Sequence, residues 1–192
     1  MTDPRSPRPR LAGVVLAGGA ARRMGGVDKA MLRVGGVPLL SRAITALGDA
    51  DPVVVVGPRR EGFSGVCWTR EEPAGSGPVA ALAAALALLD EHVDTVAVLA
   101  ADLAGVTPHT ITRLRSALDS PTGRADGALL VDGDGHRQWL VGVWRRRALD
   151  TAVPADPRDA SLRGTLGKSS IVEVPALEGE AHDVDSPDDL RP

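Results

Sequence analysis

The sequence contains no tyrosine and a single phenylalanine, and with three tryptophans its aromatic content is only 2%. That leaves no set of rings on which successive bases of a nucleic acid could stack. A formal net charge of −3 points the same way, because nucleic-acid-binding domains are normally basic. Cysteine is nearly absent. Cys67 alone excludes an internal disulfide and fits a reducing cytoplasm, the expected location. No apolar run approaches the ~20 residues that span a bilayer, and the opening MTDPRSPRPR lacks the apolar segment of a signal peptide, so no membrane partner is expected. Residues 1–10 read as a disordered tail, and residues 11–192 as a single domain long enough to bury a core. The histidines, at 92, 109, 136 and 182, show no metal-binding spacing, and no Ser-His-Asp or Cys-His arrangement can be assembled from the chain. Lysine is scarce too: of 22 basic residues 20 are arginine, leaving Lys29 and Lys168. Where arginine is the default cation, a lysine suggests a need for a compact ammonium rather than a wide planar fork.

What the chain does have is an alternation of strand-like and helix-like runs. Leu11 to Ala17 is apolar and ends at glycines, and Pro52 to Val56 (PVVVV) and Thr95 to Ala100 (TVAVLA) have the continuous character of strands covered on both faces. Between them, residues 38–47, 78–89 and 108–118 have helical spacing, with Pro78 suited to a first turn and Thr107 to an N-cap. The order predicts an α/β fold, a three-layer Rossmann-like arrangement with a mainly parallel central sheet and helices on both faces. In the later third, residues 127–131 and 138–144 are strand-like and joined by the polar turn DGDGHR, which predicts a small antiparallel element. A short helix at 161–166 and a strand at 170–174 complete the expected elements.

The most informative stretch is LAGGAARRMGGVDKAML, residues 16–32, directly after the first strand. In parallel α/β sheets ligands sit beyond the carboxyl ends of the strands. Glycines there let backbone N–H groups converge on an anion. Arg22 or Arg23 can supply bidentate bonds to phosphate oxygens, and Lys29 a mobile charge. The loop is not GxxxxGK[ST], because Ala30 follows the lysine and removes the metal-binding hydroxyl, and it is not GxGxxG. The metal must then be held elsewhere. Asp102 ends VAVLAAD on the same sheet edge, and a carboxylate with the phosphates suffices for Mg²⁺. REEPAGSGPVAAL sets Gly77-Pro78 before a helix, where free N–H groups can meet a base or ribose. HDVDSPDDL offers Asp185 as a second metal carboxylate, with Ser186, Pro187 and Asp188 accounted for by a capped helix start. With no protein nucleophile in view, positioning and charge neutralisation at phosphorus are the expected chemistry.

These residues resemble the molybdenum cofactor guanylyltransferases of the nucleotidyltransferase superfamily. The pattern LAGGxxxRMGGxDKxL is matched at every specified position through Lys29, with Met31 in place of the final leucine, and a GxGP before an apolar helix, an aspartate ending a central strand and a closing D-x-D-[ST]-P-x-D-L follow in order. The resemblance spans roughly residues 11–190. It implies transfer of GMP from GTP to molybdopterin with Mg²⁺ as cofactor, pyrophosphate as by-product, and cofactor-insertion proteins or molybdoenzymes as downstream partners. Carried over by position, Leu16, Ala17, Gly18 and Gly19 would meet the nucleotide through backbone, and Arg23 and Lys29 would hold the triphosphate, Lys29 also offsetting transition-state charge. Asp102 would bind Mg²⁺, and Gly77 with Pro78 would line the base and ribose pocket. The acidic residue usual before the GP pair is Glu71 or Glu72; Glu71 is a nucleotide-binding candidate, and which of the two faces the nucleotide stays open. Ala81 stands where a glycine is usual. Gln138 and Trp139 would lie on the acceptor side. Cytidylyl transfer to the same pterin, guanylyl transfer to another phosphorylated acceptor, and a non-catalytic nucleotide-binding domain are the competing readings.

Overall fold

The computed structural model describes residues 10–18, 28–120 and 124–182. Seven strands form one sheet in the order β5-β4-β1-β6-β8-β7-β9, with β1 at Leu11–Leu16, β4 at Val53–Val56, β5 at Cys67–Thr69, β6 at Thr95–Ala100, β7 at Gly127–Val131, β8 at Arg137–Arg145 and β9 at Ile171–Pro175. β5, β4, β1 and β6 are mutually parallel, β8 runs antiparallel to both β6 and β7, and β9 returns parallel to β7. The expected three-layer α/β class is therefore present, with the antiparallel element inside the sheet rather than appended to it. A two-stranded hairpin, β2 (Arg33–Val34) with β3 (Val37–Pro38), stands apart.

Alternation along the strands builds the layers. On β1, Leu11 and Val15 face one apolar cluster with Leu40 and Ala43 of α1 (Leu39–Ala46) and Ile111 and Leu114 of α3 (Pro108–Leu118). Ala12, Val14 and Leu16 face the other, with Val79, Leu82 and Ala85 of α2 (Pro78–Leu86), Leu149 of α4 (Arg146–Ala152), and Leu162 and Leu166 of α5 (Leu162–Leu166). Each fully buried Leu or Val side chain contributes about 1.5–3 kcal/mol relative to exposure. Gly13 is small for a reason: a Cβ there would lie 2.5 Å from a Leu47 methyl. Trp144, fully buried on β8, lies over Gly127 and Gly142, whose missing side chains make room for its indole.

Boundaries differ from the sequence expectation where local bonding decides. α1 begins one residue after Pro38, which is drawn into the hairpin opposite Arg33. α2 ends at Leu86, and Leu88 and Leu89 continue as turns bonded to the carbonyls of Ala85 and Leu86. Sequence alone groups Arg10 with the tail, yet its N–H donates to Asp94 Oδ2 at 2.8 Å and its carbonyl accepts from Asp94 and Thr95. Thr107 does open α3, its N–H donating to Thr110 Oγ1 at 3.1 Å, and Ser161 Oγ accepts the Gly164 N–H at the start of α5.

Candidate active site

The chain leaves β1, fills the sheet on one side with β4 and β5, then crosses back to place β6 on the other side of β1. The carboxyl ends of β1 and β6 therefore flank the point where strand order reverses, the place where open α/β sheets bind ligands. The Ala101 N–H donates to the Leu16 carbonyl at 3.1 Å, so Asp102 stands one residue past the last bond between the two strands. Asp102 is half-buried, and its carboxylate makes no hydrogen bond or ion pair among the described residues. An uncommitted carboxylate at this edge is a donor of the type Mg²⁺ takes together with phosphate oxygens.

Ala17 is held by its N–H to the Val56 carbonyl at 2.8 Å. With the Leu16 carbonyl and both Ala17 backbone groups bonded to protein, Gly18 is the residue of the three whose backbone makes no hydrogen bond among the described residues. A Cβ on Gly18 would sit 3.7 Å from the Val56 carbonyl oxygen and 3.9 Å from Glu71 Oε1, so this glycine lies between the end of β4 and that carboxylate. Glu71 is buried and Glu72 exposed, which separates two residues that sequence leaves equivalent. Glu71 Oε1 accepts the Gly75 N–H at 2.8 Å, and Oε2 has no partner among the described residues. Gly77 has φ +94° and caps α2, with Pro78 in its first turn. The Asp159 N–H donates to the Ser76 carbonyl at 2.9 Å, laying the segment before α5 against Gly77. Ala81 is buried in the apolar cluster that α2 forms with the sheet.

Lys29 opens a 3₁₀ turn, Lys29–Met31, on the chain returning from the loop, and is half-buried. Gly19, Arg23 and Asp185 lie outside the described residues, as does the rest of the closing HDVDSPDDL element beyond His182.

Gln138 and Trp139 reach the same edge, because Val141 on β8 is in register with Leu99 on β6 and β8 runs the opposite way. The Gln138 amide donates to Asp132 Oδ2 at 2.8 Å, tying it to the turn between β7 and β8. Trp139 is half-buried, with the Arg137 guanidinium 5.7 Å from its ring centre. The turn also gathers Asp132, Asp134 and His136, whose ligand atoms lie within 4.8 Å of one another, a grouping that histidine spacing does not reveal. The Asp132 carboxyl is held below its ordinary pKa, chiefly by the His136 N–H, with burial opposing and the Asp134 N–H, the His136 charge and Gln138 adding to the lowering.

Arg60, which the sequence reading leaves aside, also belongs to this region. Its Nε and Nη2 donate to the two carboxylate oxygens of Asp28 at 2.6 and 2.8 Å, and Nη2 also reaches the Ala17 carbonyl at 3.1 Å. The signal was available in PVVVVGPRR: an arginine pair just past a parallel strand must emerge at the ligand edge.

Residues 13–173 match the family model described as the MobA-like NTP transferase domain. A probable molybdenum cofactor guanylyltransferase of Opitutus terrae is 37% identical over 147 residues, covering 74% of this chain and 70% of that protein. One from Synechococcus elongatus is 31% identical over 174 residues, covering 86% and 88%. Among solved structures, the molybdopterin-guanine dinucleotide biosynthesis protein A of Archaeoglobus fulgidus superposes with a TM-score of 0.65 at 20% identity, covering 93% of this chain and 94% of that one. The chain belongs to the MobA-like NTP transferase domain family and is a nucleotidyltransferase.

Proposed function

We propose that this enzyme transfers GMP from GTP to molybdopterin. A terminal phosphate oxygen of the pterin attacks the α-phosphorus, the bond from that phosphorus to the bridging oxygen breaks, and pyrophosphate leaves with the electron pair. The reading is supported by the relatives named for this activity and by the match to LAGGxxxRMGGxDK at residues 16–29. The observation that carries the choice of base is Glu71. One of its oxygens is engaged by Gly75, so the carboxylate is fixed, and the other has no partner among the described residues. A fixed acceptor suits the adjacent N1–H and N2–H donors of guanine, whereas cytosine presents one donor beside two acceptors.

Lys29 would balance the negative charge that grows on the α-phosphorus oxygens and the departing pyrophosphate. Asp102 would hold Mg²⁺, with Asp185 as a second carboxylate. The bound ion supplies charge neutralisation of the triphosphate. Gly18 allows the phosphates close approach to the end of β1. Gln138 and Trp139, across the Asp102 edge, are the side from which the acceptor arrives. Thermal unfolding with GTP, CTP, ATP and UTP, each with Mg²⁺, tests the nucleotide. GTP at 100 times its Kd stabilises by about 2.7 kcal/mol, with the Mg²⁺-dependent part absent in Asp102→Ala. Greater stabilisation by CTP would move the assignment to cytidylyl transfer.

A further inference from the structure

We propose that Arg60 is a positioning residue that clasps the two ends of the glycine loop and thereby sets Lys29, an inference that rests on the loop being the triphosphate site. Ala17, at the near end, is fixed to the sheet through Val56. Asp28, at the far end, accepts the Met31 N–H at 3.0 Å through its carbonyl, so its place determines the 3₁₀ turn that carries Lys29. One guanidinium joins them, with a bidentate fork on the Asp28 carboxylate and a third bond to the Ala17 carbonyl, while Nη1 is steadied by the Pro58 carbonyl at 3.1 Å.

The surroundings suit a clasp rather than a surface ion pair. The Arg60 side chain is 9% exposed against 45% for Asp28. Its backbone is brought close by Gly57, whose φ is +151° and where a Cβ would lie 2.8 Å from the Ala17 carbonyl. Lysine has no planar fork and only three donors, so it cannot reproduce the four bonds that the guanidinium makes to Asp28, Ala17 and Pro58. The pairing has an electrostatic consequence as well. Asp28 adjoins Lys29, and an unneutralised carboxylate there would repel the phosphates the loop is built to receive.

Because Arg60 acts through Asp28, the two side chains are coupled. Arg60→Met and Asp28→Asn should each lower kcat with the nucleotide saturating by about 10- to 100-fold, with Arg60→Lys recovering only part. The double variant should be no slower than the slower single. Multiplied effects, as for an arginine touching the triphosphate directly, would overturn the proposal, as would a Tm loss with kcat unchanged. A second measurement is independent of the substrate. Amide hydrogen exchange at residues 28–32 should rise at least about tenfold in Arg60→Met while β1 stays protected, and unchanged exchange would overturn the clasp whatever nucleotide the enzyme uses. If the wild type turned over none of the four nucleotides, the proposed function would fail while exchange still decided the clasp.

Discussion

Glu71 and Glu72 are chain neighbours with opposite surroundings, and the difference makes the nucleotide assignment testable at single-residue resolution. Glu71 faces Gly18 and is anchored by Gly75, whereas Glu72 is exposed. Replacing a charged acceptor by Gln at a buried hydrogen-bonding position removes about 1.5–3 kcal/mol. Glu71→Gln should therefore weaken GTP binding about 10- to 100-fold by calorimetric titration, and Glu72→Gln should leave it unchanged. Equal effects would mean that Glu71 does not meet the base. The sequence makes an acidic residue at this point legible, but which of two adjacent glutamates turns inward depends on the turn after β5 and its bond from Gly75. Arg60 was hidden for a related reason: an arginine reads as solvated until the topology brings Asp28 and Ala17 to it.

Among the elements, the strands and helices of the parallel half were legible because continuous β-branched runs alternate with Ala- and Leu-rich ones. α4 was not, since RRALDTA is largely polar and buries Leu149 alone. The hairpin β2–β3 left a signal in Val-Gly-Gly-Val, whose glycines take φ +59° and +80° as a tight two-residue turn requires. The position of β8 between β6 and β7 rests on non-local pairing that no short window of sequence displays. One element contact makes a pH-dependent prediction. Glu180, on the segment after β9, is buried and accepts from the Thr110 hydroxyl at 2.6 Å, the Arg113 guanidinium at 2.7 Å and the Leu177 N–H at 2.7 Å. Burial alone would raise its pKa, but these donors outweigh it and hold the carboxyl below its ordinary value of 4.5. A lowered folded-state pKa stabilises above the unfolded-state value, and that stabilisation is lost as pH falls through the folded one. Glu180→Gln should cost about 1–3 kcal/mol at pH 7 by denaturant titration, with the gap to wild type closing below about pH 4. A constant gap across that range would show the carboxylate charge to be irrelevant.

At the scale of the whole molecule, the reversal of strand order at β1 and β6 brings Gly18, at the end of β1, and Asp102 to one edge of the sheet, although more than eighty residues separate them in the chain. Among the described residues no helix is long and apolar enough to cross a membrane. The parallel half carries Gly18, Glu71 and Asp102 at this edge, and the antiparallel half, through β8, presents Gln138 and Trp139 to it. In the proposed function the site is split between halves of one sheet, one for each substrate, and catalysis would rest on alignment and charge rather than a protein nucleophile. The most direct test supplies molybdopterin, Mg²⁺ and either GTP or CTP labelled at the α-phosphorus, and follows label and pyrophosphate together. The account predicts that label from GTP joins the pterin with one pyrophosphate released per transfer. Label transferred from CTP in preference to GTP, or GTP bound with no transfer to the pterin, would contradict it.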